Sequence, residues 1–255
     1  MPSSLSSNSD NAWYTKWFDS PYYRILYAHR NNAEASCFID RLCADLRLSP
    51  PLHILDVGCG WGRHACYLAH QGFEVVAIDA NLQLINRLQT GQCASRVQFI
   101  HHDILEPIFS KVNKPFDLAL NLFTSFGYFT TWAAHIRALR HIFEVLRPGG
   151  RLILDFMNTW WTLCHLVSEE VIIKEGIRYE IQRVYTPPYI IKDIDILDGH
   201  HRYHYRERIW AFWPETLASL LRSVGFEIIC QWGDYNLSVF SEALSPRLIY
   251  LTQKP

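Results

Sequence analysis

Two rhythms of apolar residues alternate along this chain. Unbroken apolar runs read as buried strands of a parallel sheet: His53–Val57, Phe73–Ile78, Val97–Ile100, Phe116–Leu122 and Leu152–Phe156. Between them, apolar positions recur every three or four residues and predict helices over Arg63–Gln71, Asn81–Gln89 and Trp132–Val145. Ala65, Leu68 and Ala69 share a face of the first, and Leu84, Ile85 and Leu88 form the stripe of the second. Gly72 and Gly91 stop these two helices, and Pro148–Gly149–Gly150 predicts a tight turn into the fifth strand. Pro214 opens another helix that runs to Ser223. Strands over Phe226–Trp232 and Leu248–Thr252 close the pattern, with no helix of useful length between 233 and 246.

Two stretches depart from this order. Residues 12–50 read as a helical cap, with Ile39, Leu42, Cys43 and Leu46 at helical spacing and Pro50–Pro51 as the stop. Its first part is unusually aromatic, with Trp13, Tyr14, Trp17, Phe18, Tyr22, Tyr23 and Tyr27. Residues from about 165 to 213 carry repeated β-rich runs broken by Glu-Gly, Thr-Pro-Pro and Leu-Asp-Gly. This predicts an inserted antiparallel sheet that serves as a lid or a dimer surface. Within it, alternation puts His200 and His204 on one face and His201 on the other, with no Cys or acid to complete a metal site. Residues 1–11 are rich in Ser and Asn and predict a disordered tail.

Composition narrows the class. The 255 residues are 49% hydrophobic, ample for one α/β core with an insertion. The formal net charge of −1 provides no global basic field, so nucleic acid is not expected as a partner. The seven cysteines form no C-x-x-C and read as reduced thiols in a cytoplasmic protein. The first residues lack a signal-peptide pattern, and no apolar run approaches the ~18 residues of a membrane helix.

Candidate chemistry concentrates in His53–Asp79, where a strand, a glycine loop, a helix and a second strand follow one another. Gly58, Gly60 and Gly62 let the backbone turn tightly and let a ligand lie against it, and the following helix offers unpaired N–H groups. Asp79, about twenty residues beyond the loop, suits the two hydroxyls of a ribose. A nicotinamide or flavin dinucleotide satisfies this description too. Against it, Arg63 stands where that fingerprint wants a small residue. Asp56, two residues before Gly58, is awkward for a pyrophosphate and suits a ligand carrying an ammonium group.

At this point LDVGCGWGRHA and VVAID resemble the first two motifs of the class I S-adenosylmethionine-dependent methyltransferases. VQFIHHDILE, FDLALNLFTSFGYF, LRPGGRLILDFMN, SVGFEII and SPRLIYLTQK are similar to later segments of that family, in the same order. The resemblance implies an α/β fold: a Rossmann-like seven-stranded methyltransferase sheet with an antiparallel last strand. It implies S-adenosyl-L-methionine as cofactor, S-adenosyl-L-homocysteine as product, and methyl transfer by in-line displacement. It also implies the cofactor contacts: Asp56, Gly58, Cys59 and Gly60 in the first loop, Asp79 and Ala80 at the ribose, Asp103 and Ile104 at the adenine, and Asn121 and Leu122 after the fourth strand. The N-terminal helices would close the site, with Tyr22 lining it and Arg30 receiving the methionine carboxylate. Tyr23, Ser125, Tyr128 and Asn158 would face the substrate, with Tyr128 the candidate base. Asp155 is either a substrate contact or a structural acid.

The leading expectation is therefore a methyltransferase for a small-molecule acceptor, without nucleic acid, membrane or metal, and with a homodimer through the inserted sheet as one use of that segment. A non-catalytic cofactor-binding sensor or partner subunit, and then an NAD(P)-dependent oxidoreductase, are the competing readings.

Overall fold

The computed structural model describes residues 13–112 and 114–255; the expected disordered tail, 1–11, lies outside them. Helices α1 (Trp13–Asp19), α2 (Pro21–Leu26) and α3 (Asn32–Asp45) precede β1 (His53–Val57). Then come α4 (Arg63–His70), β2 (Glu74–Asp79), α5 (Leu82–Gln89), β3 (Val97–His101), β4 (Phe116–Asn121), α6 (Trp132–Val145) and β5 (Leu146–Met157). A short helix α7 (Thr159–Cys164) leads into β6 (Glu169–Lys174), β7 (Ile177–Thr186), β8 (Tyr189–Asp198) and β9 (His201–Trp210). The chain closes with α8 (Pro214–Val224), β10 (Glu227–Trp232) and β11 (Arg247–Gln253).

The larger sheet has seven strands in the order β10-β11-β5-β4-β1-β2-β3, and β11 runs antiparallel to both of its neighbours. Side chains alternate across it. From β1, Leu55 and Val57 enter a core shared with α6 and α8, while Ile54 enters the opposite core shared with α3 and α4. Both faces are covered, which is why these strands are apolar throughout. Local groups cap the helices: the Asn81 side chain accepts from Leu84 N, the Thr131 side chain from Ala134 N, and Gly225 takes a left-handed conformation after α8.

The insertion is a separate antiparallel sheet in the order β6-β7-β8-β9. Its inner face, with Ile177, Tyr179, Ile181, Ile194 and Ile196, buries Trp17 and Leu26 of the N-terminal helices in a third core. Most of the aromatic N-terminal cluster is therefore spent on packing against this sheet.

Three features differ from the sequence reading. The Pro148–Gly150 segment continues into β5, because Gly149 N donates to Lys254 O and Lys254 N donates to Gly150 O, both at 2.8 Å. Helix α7 was not foreseen; a single turn and a half is too short to show a periodicity. Cys66 and Cys93 form a disulfide, against the expectation of seven reduced thiols. Helix α4 and the loop after α5 bring their Cα atoms to 5.7 Å, a proximity that a sequence separation of 27 conceals.

Candidate functional site

The carboxyl ends of β1, β2 and β4 open into one cavity of about 1290 Å³, roofed by α1, α2 and the inner face of the inserted sheet. This exceeds the roughly 300–1,000 Å³ typical of a single small-ligand site, so two ligands fit side by side.

The glycine loop forms one wall. Gly58 and Gly60 have φ of 69° and 53°, the left-handed region that side chains avoid. A Cβ on Gly58 would also come within 2.8 Å of the Ser125 Cβ, so this position admits only hydrogen. Asp79, at the end of β2, accepts from Gly60 N through Oδ2 and from Asn81 N through Oδ1, both at 2.8 Å. It thus holds the loop while presenting its carboxylate to the cavity. Burial raises its pKa, and the two backbone donors and His101 act in the opposite direction.

Asp56 lies behind the loop with Oδ2 buried and, among the described residues, without a hydrogen-bond partner. Burial, then repulsion from Asp79, pushes its pKa up to about 7. A buried acceptor that the protein leaves unpaired is costly unless a ligand pairs with it. Asp103 and Ile104 line the cavity beyond β3, where Asp103 Oδ1 accepts from Leu105 N at 2.9 Å. Tyr14 faces this end; burial and the charges of Asp103 and Asp79 push its pKa to about 12.

The loop after β4 is strained and clamped. Phe123 and Thr124 carry φ of 55° and 61°, unusual for residues with side chains. Asp155 holds them: its Oδ2 accepts from Phe123 N at 2.8 Å and from the Tyr235 hydroxyl at 3.0 Å. Arg247 donates to Asp155 Oδ1 at 2.7–2.8 Å and to Thr124 Oγ1 at 2.8 Å. Asp155 is thus a structural acid. Beyond the clamp, the Ser125 hydroxyl donates to Leu122 O at 2.8 Å, and Tyr128 donates to Thr124 O at 2.5 Å. Burial raises the Tyr128 pKa far above its ordinary value, which disfavours a phenolate and hence a role as base.

Of the residues singled out from the sequence, Tyr23, Arg30, Asp56, Gly58, Cys59, Gly60, Asp79, Ala80, Asp103, Ile104, Leu122, Ser125 and Tyr128 line this one cavity. Three do not. Tyr22 faces the inserted sheet, donating to Asp198 Oδ2 at 3.0 Å, because adjacent residues of α2 point about 100° apart and only Tyr23 turns inward. Asn121 is buried, and its Nδ2 donates to Val57 O at 3.0 Å, tying β4 to β1. Asn158 is spent on structure: it caps α7 and donates to Glu242 O and Ser245 O at 2.7 Å.

The sequence reading missed the far wall. Lys192 on β8 and Glu207 on β9 stand directly opposite one another and face the cavity. Glu207 Oε1 accepts from Trp17 Nε1 at 2.6 Å and from the Tyr27 hydroxyl at 3.3 Å, which links the insertion to the N-terminal helices. A signal existed: Lys192 shares an alternating face with Ile190 and Ile194, where a lysine is out of pattern. The three insertion histidines stay outside the cavity lining, and His204 pairs with Asp195 at 2.9 Å.

Comparison with known proteins accords with this geometry. Residues 54–150 match the family model described as a methyltransferase domain. The chain is 31% identical over 158 residues to the tRNA 5-carboxymethoxyuridine methyltransferase of Escherichia coli (strain K12), covering 59% of this chain and 58% of that protein. It thus spans little more than half the length of that relative. It is 21% identical over 233 residues to a glycine/sarcosine N-methyltransferase of Aphanothece halophytica, covering 87% and 83%. A solved S-adenosylmethionine-dependent methyltransferase from Clostridium acetobutylicum superposes with a TM-score of 0.77 at 18% identity, over 91% of this chain and 96% of that one. The chain has the class I S-adenosylmethionine-dependent methyltransferase fold.

One expectation is overturned. Nucleic acid was set aside as a partner because of the near-neutral charge, yet a relative at 31% identity is named for a tRNA nucleoside. Net charge averages over the whole surface and is silent on a local binding face. No helix among the described residues is long and apolar enough to cross a membrane.

Proposed function

We propose that this protein transfers a methyl group from S-adenosylmethionine to a small-molecule acceptor held between the glycine loop and the inserted sheet. The observation that carries this is Asp56 Oδ2, a buried, unpartnered acceptor behind a three-glycine loop whose neighbouring carboxylate, Asp79, faces the same cavity. That pair of acceptors fits an aminoacyl ammonium and a ribose lying along one loop. When bound, S-adenosylmethionine supplies a methyl carbon activated by its sulfonium and departs as S-adenosylhomocysteine on in-line attack.

The chain's own groups bind, orient and exclude water. Asp79 receives the ribose hydroxyls, Asp103 and the Ile104 backbone meet the adenine, and Asp56 takes the amino group. Arg30, stacked 4.9 Å over Tyr27, receives the methionine carboxylate. The clamped loop from Leu122 to Tyr128 fixes the direction of approach, and the α1–α2 roof keeps water out. Tyr128 orients this loop through its bond to Thr124.

Calorimetric titration with S-adenosylhomocysteine, with NADH as control, tests the cofactor. Binding of the former alone supports the reading, binding of NADH alone refutes it, and binding of neither refutes it for the isolated chain. The likeness to a tRNA enzyme favours one second reading, in which the acceptor is a tRNA nucleoside. Methyl incorporation from labelled S-adenosylmethionine into bulk tRNA distinguishes the two.

A further inference from the structure

We propose that Lys192, on the inner face of the inserted sheet, receives a carboxylate carried by the methyl acceptor. This deepens the methyltransferase reading and rests on it. Strand β8 turns Ile190, Ile194 and Ile196 inward, and Lys192 stands among them with only 12% of its side chain exposed. An ammonium in such surroundings costs stability unless it is well paired.

The protein pairs it poorly. An ammonium has three donors. Among the described residues, only the Tyr27 hydroxyl accepts one. The nearest carboxylate oxygen, Glu207 Oε1, is 3.8 Å away, beyond hydrogen-bond distance, and already accepts from Trp17 and Tyr27. Lys192 Nζ and Glu207 Oε1 therefore share the Tyr27 hydroxyl as an intermediary, and donors of Lys192 remain for the cavity.

The surrounding charge points the same way. Arg183 and Arg30 line the same cavity. Burial holds the Lys192 ammonium below its usual range; Glu207 opposes this, and Arg183 and Arg30 add to it. Arg183 is occupied by Glu170 at 2.7 Å and by Val167 O at 3.1 Å. Arg30 is assigned to the cofactor's carboxylate. Of these three cations Lys192 is the one left over, on the wall that faces the acceptor half of a cavity with room for two ligands. An incoming carboxylate supplies the missing acceptor and relieves the repulsion.

The test uses the full chain loaded with S-adenosylhomocysteine. Phenoxyacetate and its neutral counterpart phenoxyacetamide are titrated by calorimetry. The acid is expected to bind at least about tenfold tighter than the amide, the range one charge-assisted hydrogen bond provides. Lys192→Met should bring the two within about twofold, and Lys192→Arg should keep most of the preference. Retained affinity for S-adenosylhomocysteine shows that each variant is folded; if Lys192→Met loses it, the acid-to-amide ratio of the native protein and of Lys192→Arg decides. Equal affinity for acid and amide in the native protein, no binding of the acid, or an unchanged ratio in folded Lys192→Met overturns the assignment. Failure of the native protein to bind S-adenosylhomocysteine overturns instead the cofactor reading beneath it. The nucleoside 5-carboxymethoxyuridine, titrated alongside, distinguishes a carboxylate on a nucleoside from one on a simpler carrier by which of the two acids binds tighter.

Discussion

Replacing Arg247 with methionine strikes the clamp beneath the loop after β4. Asp155 is fully buried, and among the described residues its ion-pair partner is Arg247, whose own side chain is 16% exposed. In Arg247→Met, Asp155 keeps Phe123 N and the Tyr235 hydroxyl as donors but loses its ion pair, and Thr124 Oγ1 loses its donor. Leaving one partner of a buried pair uncompensated costs roughly 3–5 kcal/mol. For a chain of this size about 2 °C of Tm corresponds to each kcal/mol, so Tm should fall by roughly 6–10 °C. Differential scanning calorimetry measures this directly. The double variant Arg247→Met/Asp155→Asn removes the orphaned charge while leaving an acceptor for Phe123 N. It should regain about 2 kcal/mol, or roughly 4 °C, over the single variant. If the double variant melts at or below the single one, an uncompensated charge is not the source of the loss. The same variants should turn over slowly, because the left-handed backbone at Phe123 and Thr124 persists only while its surroundings hold it.

Three further outcomes are expected. Asp79→Ala should weaken S-adenosylhomocysteine binding by at least about tenfold in calorimetry, since it removes the ribose acceptor and frees Gly60 N and Asn81 N; unchanged affinity would place the ribose elsewhere. Asp56, moved from 3.8 to about 7, destabilises the fold as pH rises through that interval, by roughly 4 kcal/mol at the plateau above it. Asp56→Asn should therefore flatten the pH dependence of Tm between about 4 and 7. Ligand affinity should run the other way: an ammonium prefers the ionised carboxylate, so native affinity should rise from pH 6 to 8 on a slope that Asp56→Asn lacks, and a slope common to both proteins would exclude Asp56 as its source. Tyr128→Phe leaves Thr124 O without its donor and should cost about 1 kcal/mol of stability. It should lower turnover less than about tenfold with the pH profile unmoved, whereas a loss of hundredfold or more with a shifted profile would restore the tyrosine as base.

Much of this molecule is written in local pattern. The apolar runs of β1 to β5 and the helical stripes between them are set by which residues lie within a few positions of one another, and a parallel sheet covered on both faces demands that order. The glycine loop and the two acids at the ends of β1 and β2 are equally local, so this wall of the cavity could be read from His53–Asp79 alone. What the sequence left open depends on contacts between distant segments. Tyr22 and Tyr23 are neighbours of the same type, and only the docking of α2 decides which turns inward. Asp155 and Arg247 are 92 positions apart and meet because β11 inserts beside β5. Trp17 and Glu207 are 190 positions apart and meet because the inserted sheet packs on the N-terminal helices. The cavity wall that carries Lys192 and Glu207 belongs wholly to this second kind. Periodicity states that a side chain faces inward, and only the tertiary fold states what it meets there.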